Sequence, residues 1–128
     1  MDTLFLLLLI AFQIKHFVAD YLLQPAWMVR GKDDLAHAGG YAHAALHGLG
    51  SAAIMLLFGL AALPLAVLAI ADCVIHYAVD FAKARWSRSH PADIKSRTFW
   101  MAHGADQFLH QLTYAVMIFV ILVFGRVG

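Results

Sequence analysis

The sequence predicts an all-α integral membrane protein, a four-helix up-down-up-down bundle with the N and C termini outside and both polar loops cytoplasmic. Three observations carry that expectation. The 128 residues are 62% hydrophobic and 13% charged, about half the charged share of an ordinary soluble domain. The apolar residues gather into four segments of roughly 20 residues or more, long enough to cross a hydrocarbon core. The basic residues fall almost entirely in two polar connections between those segments.

The first segment is expected over about residues 3–23. Its start, "MDTLFLLLLIAF", has no basic n-region and no small-residue cleavage site, so it reads as a retained span and not a signal peptide. The second segment is expected over about 41–63, closed by Pro64. Gly48, Gly50, Gly59 and Ser51 make it thin, which favours close helix approach. The third covers about 65–84, and the minimal link before it predicts a tight helical hairpin. The fourth covers about 99–124, and together the four form a single transmembrane domain over residues 1–128.

The connection "QPAWMVRGKDDLAHAGG" is punctuated by Pro25 and the Gly39-Gly40 pair and carries Arg30 and Lys32. The connection "RWSRSHPADIKSR" lies among Lys83, Arg85, Arg88, Lys95 and Arg97. Arg126 is the one basic residue expected on the opposite side, so the positive-inside rule places both connections in the cytoplasm. Trp27, Trp86 and Trp100 flank them as an interfacial aromatic belt. The expected location is a bacterial inner (plasma) membrane, crossed several times, with membrane lipids as neighbours.

A net charge of +1 argues against a nucleic-acid partner, and Cys73 alone supplies neither a disulfide nor a paired-cysteine metal motif. The ionisable residues inside the apolar segments are the functional signal. The acidic side consists of eight Asp and no Glu, beside eight His. Six His/Asp pairs stand four residues apart, where a shuffle of this composition gives roughly two. His16 and Asp20 lie in the first segment, and His43 and His47 in the second. Asp72, His76 and Asp80 form a stripe in the third, and Asp106 and His110 lie in the fourth after His103.

Residues four apart share one helix face. All these pairs fall near the ends joined by the polar connections, with Asp72 one turn deeper. A ligand set of His and Asp without Cys suits one or two divalent ions such as Zn, Mn or Fe. The expected ligands are His16, Asp20, His43, His47, His76, Asp80, Asp106 and His110.

Asp72 is expected as an outer partner or proton acceptor. Lys15 and Lys83 flank the site, and each either snorkels to the interface or meets an anionic substrate. Gln24 and Gln107 are candidates for hydrogen bonds to ligands, whereas His37 and His90 read as surface residues. The structural alternative is polar helix packing without a metal.

"HFVADYLLQPAWMVRGK", a His-bearing second helix, "HYAVDFAK" and "DQFLHQL" together resemble an uncharacterised family of small bacterial four-helix integral membrane proteins. That family's pattern runs His-x-x-x-Asp-Phe-x-Leu-Gln, then His-x-x-x-Asp-x-x-Lys, then Asp-Gln-x-x-His. The resemblance spans nearly the whole chain and implies a membrane fold without an activity. A weaker similarity is to membrane-bound metal-dependent hydrolases, which place His and Asp ligands at the cytoplasmic ends of spans.

Cation diffusion facilitators offer another comparison. His16/Asp20 with His76/Asp80 would reproduce their paired motif, but this chain lacks their six spans and metal-sensing domain. Three functions follow as expectations. The first is a metal-dependent hydrolase acting on a phosphorylated or lipid-linked substrate at the cytoplasmic side. The second is a divalent-metal transporter or channel subunit, which would call for a homo-oligomer. The third is a non-catalytic, metal-stabilised membrane protein.

Overall fold

A computed structural model describes residues 2–124; Arg126, used above for orientation, lies outside them. The described residues form α1 (Asp2–Phe17), a π-helical turn (Val18–Leu22), α2 (Ala26–Arg30), α3 (Ala38–Leu57), α4 (Ala62–Ser89) and α5 (Arg97–Phe124). The four-helix expectation is therefore corrected: there are five α-helices among the described residues. Three helical stretches are long and apolar enough to cross a membrane: Thr3–Leu22, Ala62–Ser89 and Arg97–Phe124. The placement of the termini and of both polar connections rested on four spans and falls with that count.

Two local causes account for the difference. Pro25 ends the first helical stretch but, held extended at φ −71° and ψ 162°, serves as the cap from which α2 starts. The expected loop thus contains a helix. α3 meanwhile carries His43, His47 and a set of glycines, so its composition does not qualify it as a span. It is nevertheless the helix most enclosed by its neighbours, with His43, His47, Gly48, Ser51 and Met55 all buried.

Helix boundaries follow capping chemistry. His37 accepts the Gly39 N–H at 2.9 Å to start α3. At the other end Gly59 adopts φ +76°, which favours glycine. The Gly59 N–H reaches the Leu56 carbonyl at 3.0 Å and the Leu60 N–H reaches that of Met55 at 3.0 Å, a Schellman closure. Pro64 falls in the first turn of α4, where no intrahelical donor is lost. Ser96 opens α5 by accepting the Phe99 N–H at 3.2 Å.

α4 has 28 residues, about 42 Å at the α-helical rise. It extends into the stretch expected as a loop, so Arg85 and Arg88 are helical. There the exposed Arg88 donates to Asp33 at 2.7 Å and holds that carboxyl below its usual range. The pair ties α4 to the connection that precedes α3.

The long helices run antiparallel to their neighbours, as cross-helix pairs show. His43 meets His76 while Ser51 meets Asp72, and Phe12 stacks on Tyr114 while His16 reaches Gln107. α3 approaches α4 closely at Gly48, where an added Cβ would lie 2.9 Å from the Cys73 Cβ and 3.0 Å from the Ala69 carbonyl oxygen. Toward α1, Gly50 leaves room for the Lys15 stem, which an added Cβ would meet at 2.8 Å. One end of the bundle is a dry core of Leu8, Phe12, Ile54, Met55, Leu60, Tyr114, Met117, Ile118 and Ile121. The other end is polar inside.

Outward positions such as Leu49, Leu57, Ile70, Phe108 and Phe119 are large, apolar and exposed. This exceeds what a water-facing surface ordinarily shows and is compatible with a membrane protein. Replacing Gly48 with Leu is expected to destabilise the fold by about 1–3 kcal/mol through overpacking against Cys73 and Ala69. Thermal unfolding in detergent checks this, and a melting temperature equal to wild type would count against the close α3–α4 contact.

Candidate metal centre

Every His and Asp expected as a ligand lies in one connected polar cluster at the end of the bundle away from the dry core. Asp20 Oδ1 lies 2.9 Å from His47 Nε2 and 3.1 Å from His43 Nε2. His43 Nε2 faces His76 Nε2 at 3.2 Å. Asp80 Oδ2 lies 3.4 Å from His76 Nε2 and 3.5 Å from His43 Nε2, while Asp80 Oδ1 is 3.2 Å from His110 Nε2. Asp106 Oδ1 is 3.4 Å from the same His110 nitrogen.

The imidazoles of His47, His76 and His110 form a stacked column, with ring centroids 3.5 and 4.0 Å apart. Two groups in this cluster bring their ligand atoms close enough to hold a metal ion. One is Asp20, His43, His47 and His76; the other is His76, Asp80 and His110. The two groups share His76. Ligands about 2.1 Å from a tetrahedral ion stand roughly 3.4 Å apart from one another, which the observed separations approach.

Hydrogen bonds order the side chains behind this cluster. His16 Nε2 faces two acceptors, Gln107 Oε1 at 2.9 Å and Asp20 Oδ2 at 3.2 Å, so its proton sits there. His16 Nδ1 then accepts from the Tyr114 hydroxyl at 3.0 Å. The Tyr114 oxygen also lies 3.3 Å from His47 Nδ1, and the Lys15 ammonium lies 3.4 Å from the same nitrogen. An ammonium only donates, so His47 Nδ1 accepts and its Nε2–H donates to Asp20 Oδ1 at 2.9 Å.

His43 Nδ1, His76 Nδ1 and Asp80 Oδ2 are buried without a hydrogen-bond partner. The donor set therefore fits a divalent ion. His16 stands behind Asp20, outside both metal-ion groups.

One turn toward the core lies a second layer. Lys15 donates to Asp72 Oδ2 at 2.9 Å, and Ser51 donates to the same oxygen at 2.5 Å. Lys15 does not reach an interface; its side chain is 7% exposed and its ammonium lies 4.4 Å from the Tyr114 ring centroid. Lys83 is 37% exposed and lies 3.7 Å from Asp106 Oδ2.

A cavity of about 500 Å³ opens onto the cluster from the side of the polar connections. Asp20, Asp80 and Asp106 form its floor, and Lys32, Lys83 and His103 stand on its walls. His43, His47, His76 and His110 do not line it. Gln24 holds the Asp20 backbone carbonyl at 2.8 Å, and Gln107 donates to Asp106 at 3.2 Å. His37 acts as a helix cap, while His90 lies exposed at the cavity rim.

Three site residues were missed in the sequence. Ser51 and Tyr114 continue the four-residue spacing by one step, from His47 and from His110 respectively, and that step would have found them. Lys32 has no comparable signal. It reaches Asp80 from the connection before α3, with Nζ 2.5 Å from Oδ2.

A family model described as "Protein of unknown function (DUF3307)" matches residues 4–127. No curated protein and no solved structure matches the chain.

Tyr114→Phe removes the hydroxyl that orients both His16 and His47. Metal affinity is expected to fall about 10- to 100-fold, read by competition with a zinc indicator. Unchanged affinity in a folded variant would mean the tyrosine does not position the two imidazoles for a metal.

Proposed function

The chain belongs to this family of unknown function, and from that footing we propose that it is a membrane-embedded, metal-dependent hydrolase acting on a phosphorylated or lipid-linked substrate. The observation that carries the reading is the position of the carboxylates. Asp20, Asp80 and Asp106 are shared between the buried histidines and an open cavity, as a site built for turnover requires. A purely structural metal site is closed on all sides.

Divalent ions would be held by Asp20, His43, His47 and His76 or by His76, Asp80 and His110, and would supply Lewis-acid activation of water and charge neutralisation at a phosphoryl oxygen. The chain's own residues do the remaining work. Asp106 stands at the cavity floor with His110 at its back and is placed to take a proton from attacking water. Lys83, beside it at 3.7 Å, steadies the charge on the departing oxygen. Lys15 and Asp72 pair away from the cavity, so we assign them to positioning His47, with Asp72 fixed by Ser51.

Apolar lining such as Tyr21, Val29 and Phe99 in the same cavity supports a substrate with a greasy part beside its anionic group. A divalent-metal transporter would need polar groups continuing beyond the Lys15–Asp72 pair. Among the described residues, the layer beyond is the dry core of Leu8, Phe12, Met55 and Ile118. That supports a site that receives its ligands from one end only.

Elemental analysis of detergent-purified protein, beside a His76→Ala/Asp80→Ala double variant, tests the metal. One or two equivalents of Zn, Mn or Fe are expected in wild type and loss in the variant. Release of inorganic phosphate from phosphorylated lipids in mixed micelles tests the chemistry, and the same variant should abolish it. Metal binding without turnover on any phosphorylated lipid would favour a non-catalytic, metal-stabilised protein. A folded wild type without metal would leave polar helix packing as the explanation.

A further inference from the structure

The ammonium of Lys32 lies 2.5 Å from Asp80 Oδ2. That same oxygen stands 3.4 and 3.5 Å from the Nε2 atoms of His76 and His43. The lysine therefore puts its charge at the spot where the carboxylate and both imidazoles converge. Asp80 Oδ2 nonetheless has no directed hydrogen bond, so the contact is one of charge and proximity. Nothing else at the cavity brings a full positive charge so near the shared ligands; Lys83 is more than an ångström farther from its own carboxylate.

The lysine is also built to leave. Its flexible stem starts in the non-helical connection after Gly31, and the next residue, Asp33, is anchored to Arg88 at 2.7 Å. The backbone is thus held while the ammonium can swing. The space it would enter is the cavity of about 500 Å³ whose wall it already forms. A divalent ion on Asp80 would repel the ammonium at this distance more strongly than in bulk water, because Lys32 and Asp80 both stand partly buried at the cavity.

We propose that Lys32 is a stand-in cation at Asp80 that a divalent ion displaces, and that the freed ammonium becomes the anion contact for the substrate's phosphoryl group. This rests on the metal-site reading above and adds an order of events. Without metal, Lys32 neutralises Asp80; with metal, it turns into the cavity beside Lys83 and offers its donors to an oxyanion. Lys32 is then a residue that touches substrate and also sets how tightly the metal is held.

Two titrations on metal-stripped protein in detergent test the proposal. Manganese binding, followed by the paramagnetic resonance of the free ion, is compared between wild type, Lys32→Gln and Lys95→Gln, an exposed lysine of the other connection. Removing the competing charge is expected to tighten manganese binding about ten-fold or more in Lys32→Gln and to leave Lys95→Gln like wild type. Inorganic phosphate is then titrated onto the manganese-loaded proteins. Its affinity is expected to fall about ten-fold in Lys32→Gln, the loss of one charge-assisted hydrogen bond.

Equal manganese affinity in wild type and Lys32→Gln overturns the proposal while the metal site stands. Tighter manganese with unchanged phosphate affinity overturns the release of the ammonium to the anion. No manganese binding in wild type removes the metal reading and this inference together. Asp80 keeps His76 and His110 as partners in Lys32→Gln, so the variant is expected to fold, with a far-ultraviolet circular dichroism spectrum as the check.

Discussion

The cost of drawing Asp20, Asp80 and Asp106 most of the way out of water, with only the cavity beside them, shapes the rest of the molecule. An ionised carboxylate in an apolar interior is stable only when cations and donors surround it. Each of these three has at least one imidazole within 3.5 Å, and two of them have a lysine as well. Meeting that demand requires four helical stretches to aim side chains at one level. The close packing that brings them there falls to α3, whose small residues let α1 and α4 approach. The glycines, the histidines and the poor hydropathy of α3 are consequences of one requirement.

The layering follows from the same demand. Tyr114 marks the boundary between regimes: its ring stacks on Phe12 in the dry core, and its hydroxyl serves two histidines. Below it, apolar side chains fill space without needing partners. Above it, each polar group depends on the next, so a change propagates along the chain of donors. This division explains why one end of the bundle carries an open cavity while the other is filled by Leu8, Met55 and Ile118.

How much of this was legible in the sequence divides along physical lines. The spacing of His16/Asp20, His43/His47 and His76/Asp80 put each pair on one face, because helical period converts spacing into direction. Apolar content announced helices that can enter a membrane. The helix count did not follow, since hydropathy alone cannot show that Pro25 restarts a helix at Ala26 or that α4 runs on to Ser89. Nor could composition tell that α3, expected as a span but too poor in hydropathy to count as one, is enclosed by its neighbours. Lys15 lay open between the interface and an anionic substrate, and its observed partner is a third, Asp72 on another helix. Lys32 was invisible because a long side chain on a non-helical segment has no period to betray where it points.

The π-helical turn at Val18–Leu22 has a consequence for how α1 keeps its bearings. On a regular α-helix a row of every fourth residue drifts around the axis by about 40° per step. Leu8, Phe12, His16 and Asp20 form such a row, the first two in the dry core and the last two at the polar cluster. A wider turn, closed by the Leu23 N–H on the Val18 carbonyl at 2.9 Å, winds more slowly and counters that drift near the end of the row. α1 thus works like a vernier: two scales of slightly different pitch on one rod, brought into coincidence at Asp20. Length and greasiness can be conserved through many substitutions there without touching this phase. A single residue gained or lost between Phe17 and Leu23 resets it, although by hydropathy the segment would look unchanged.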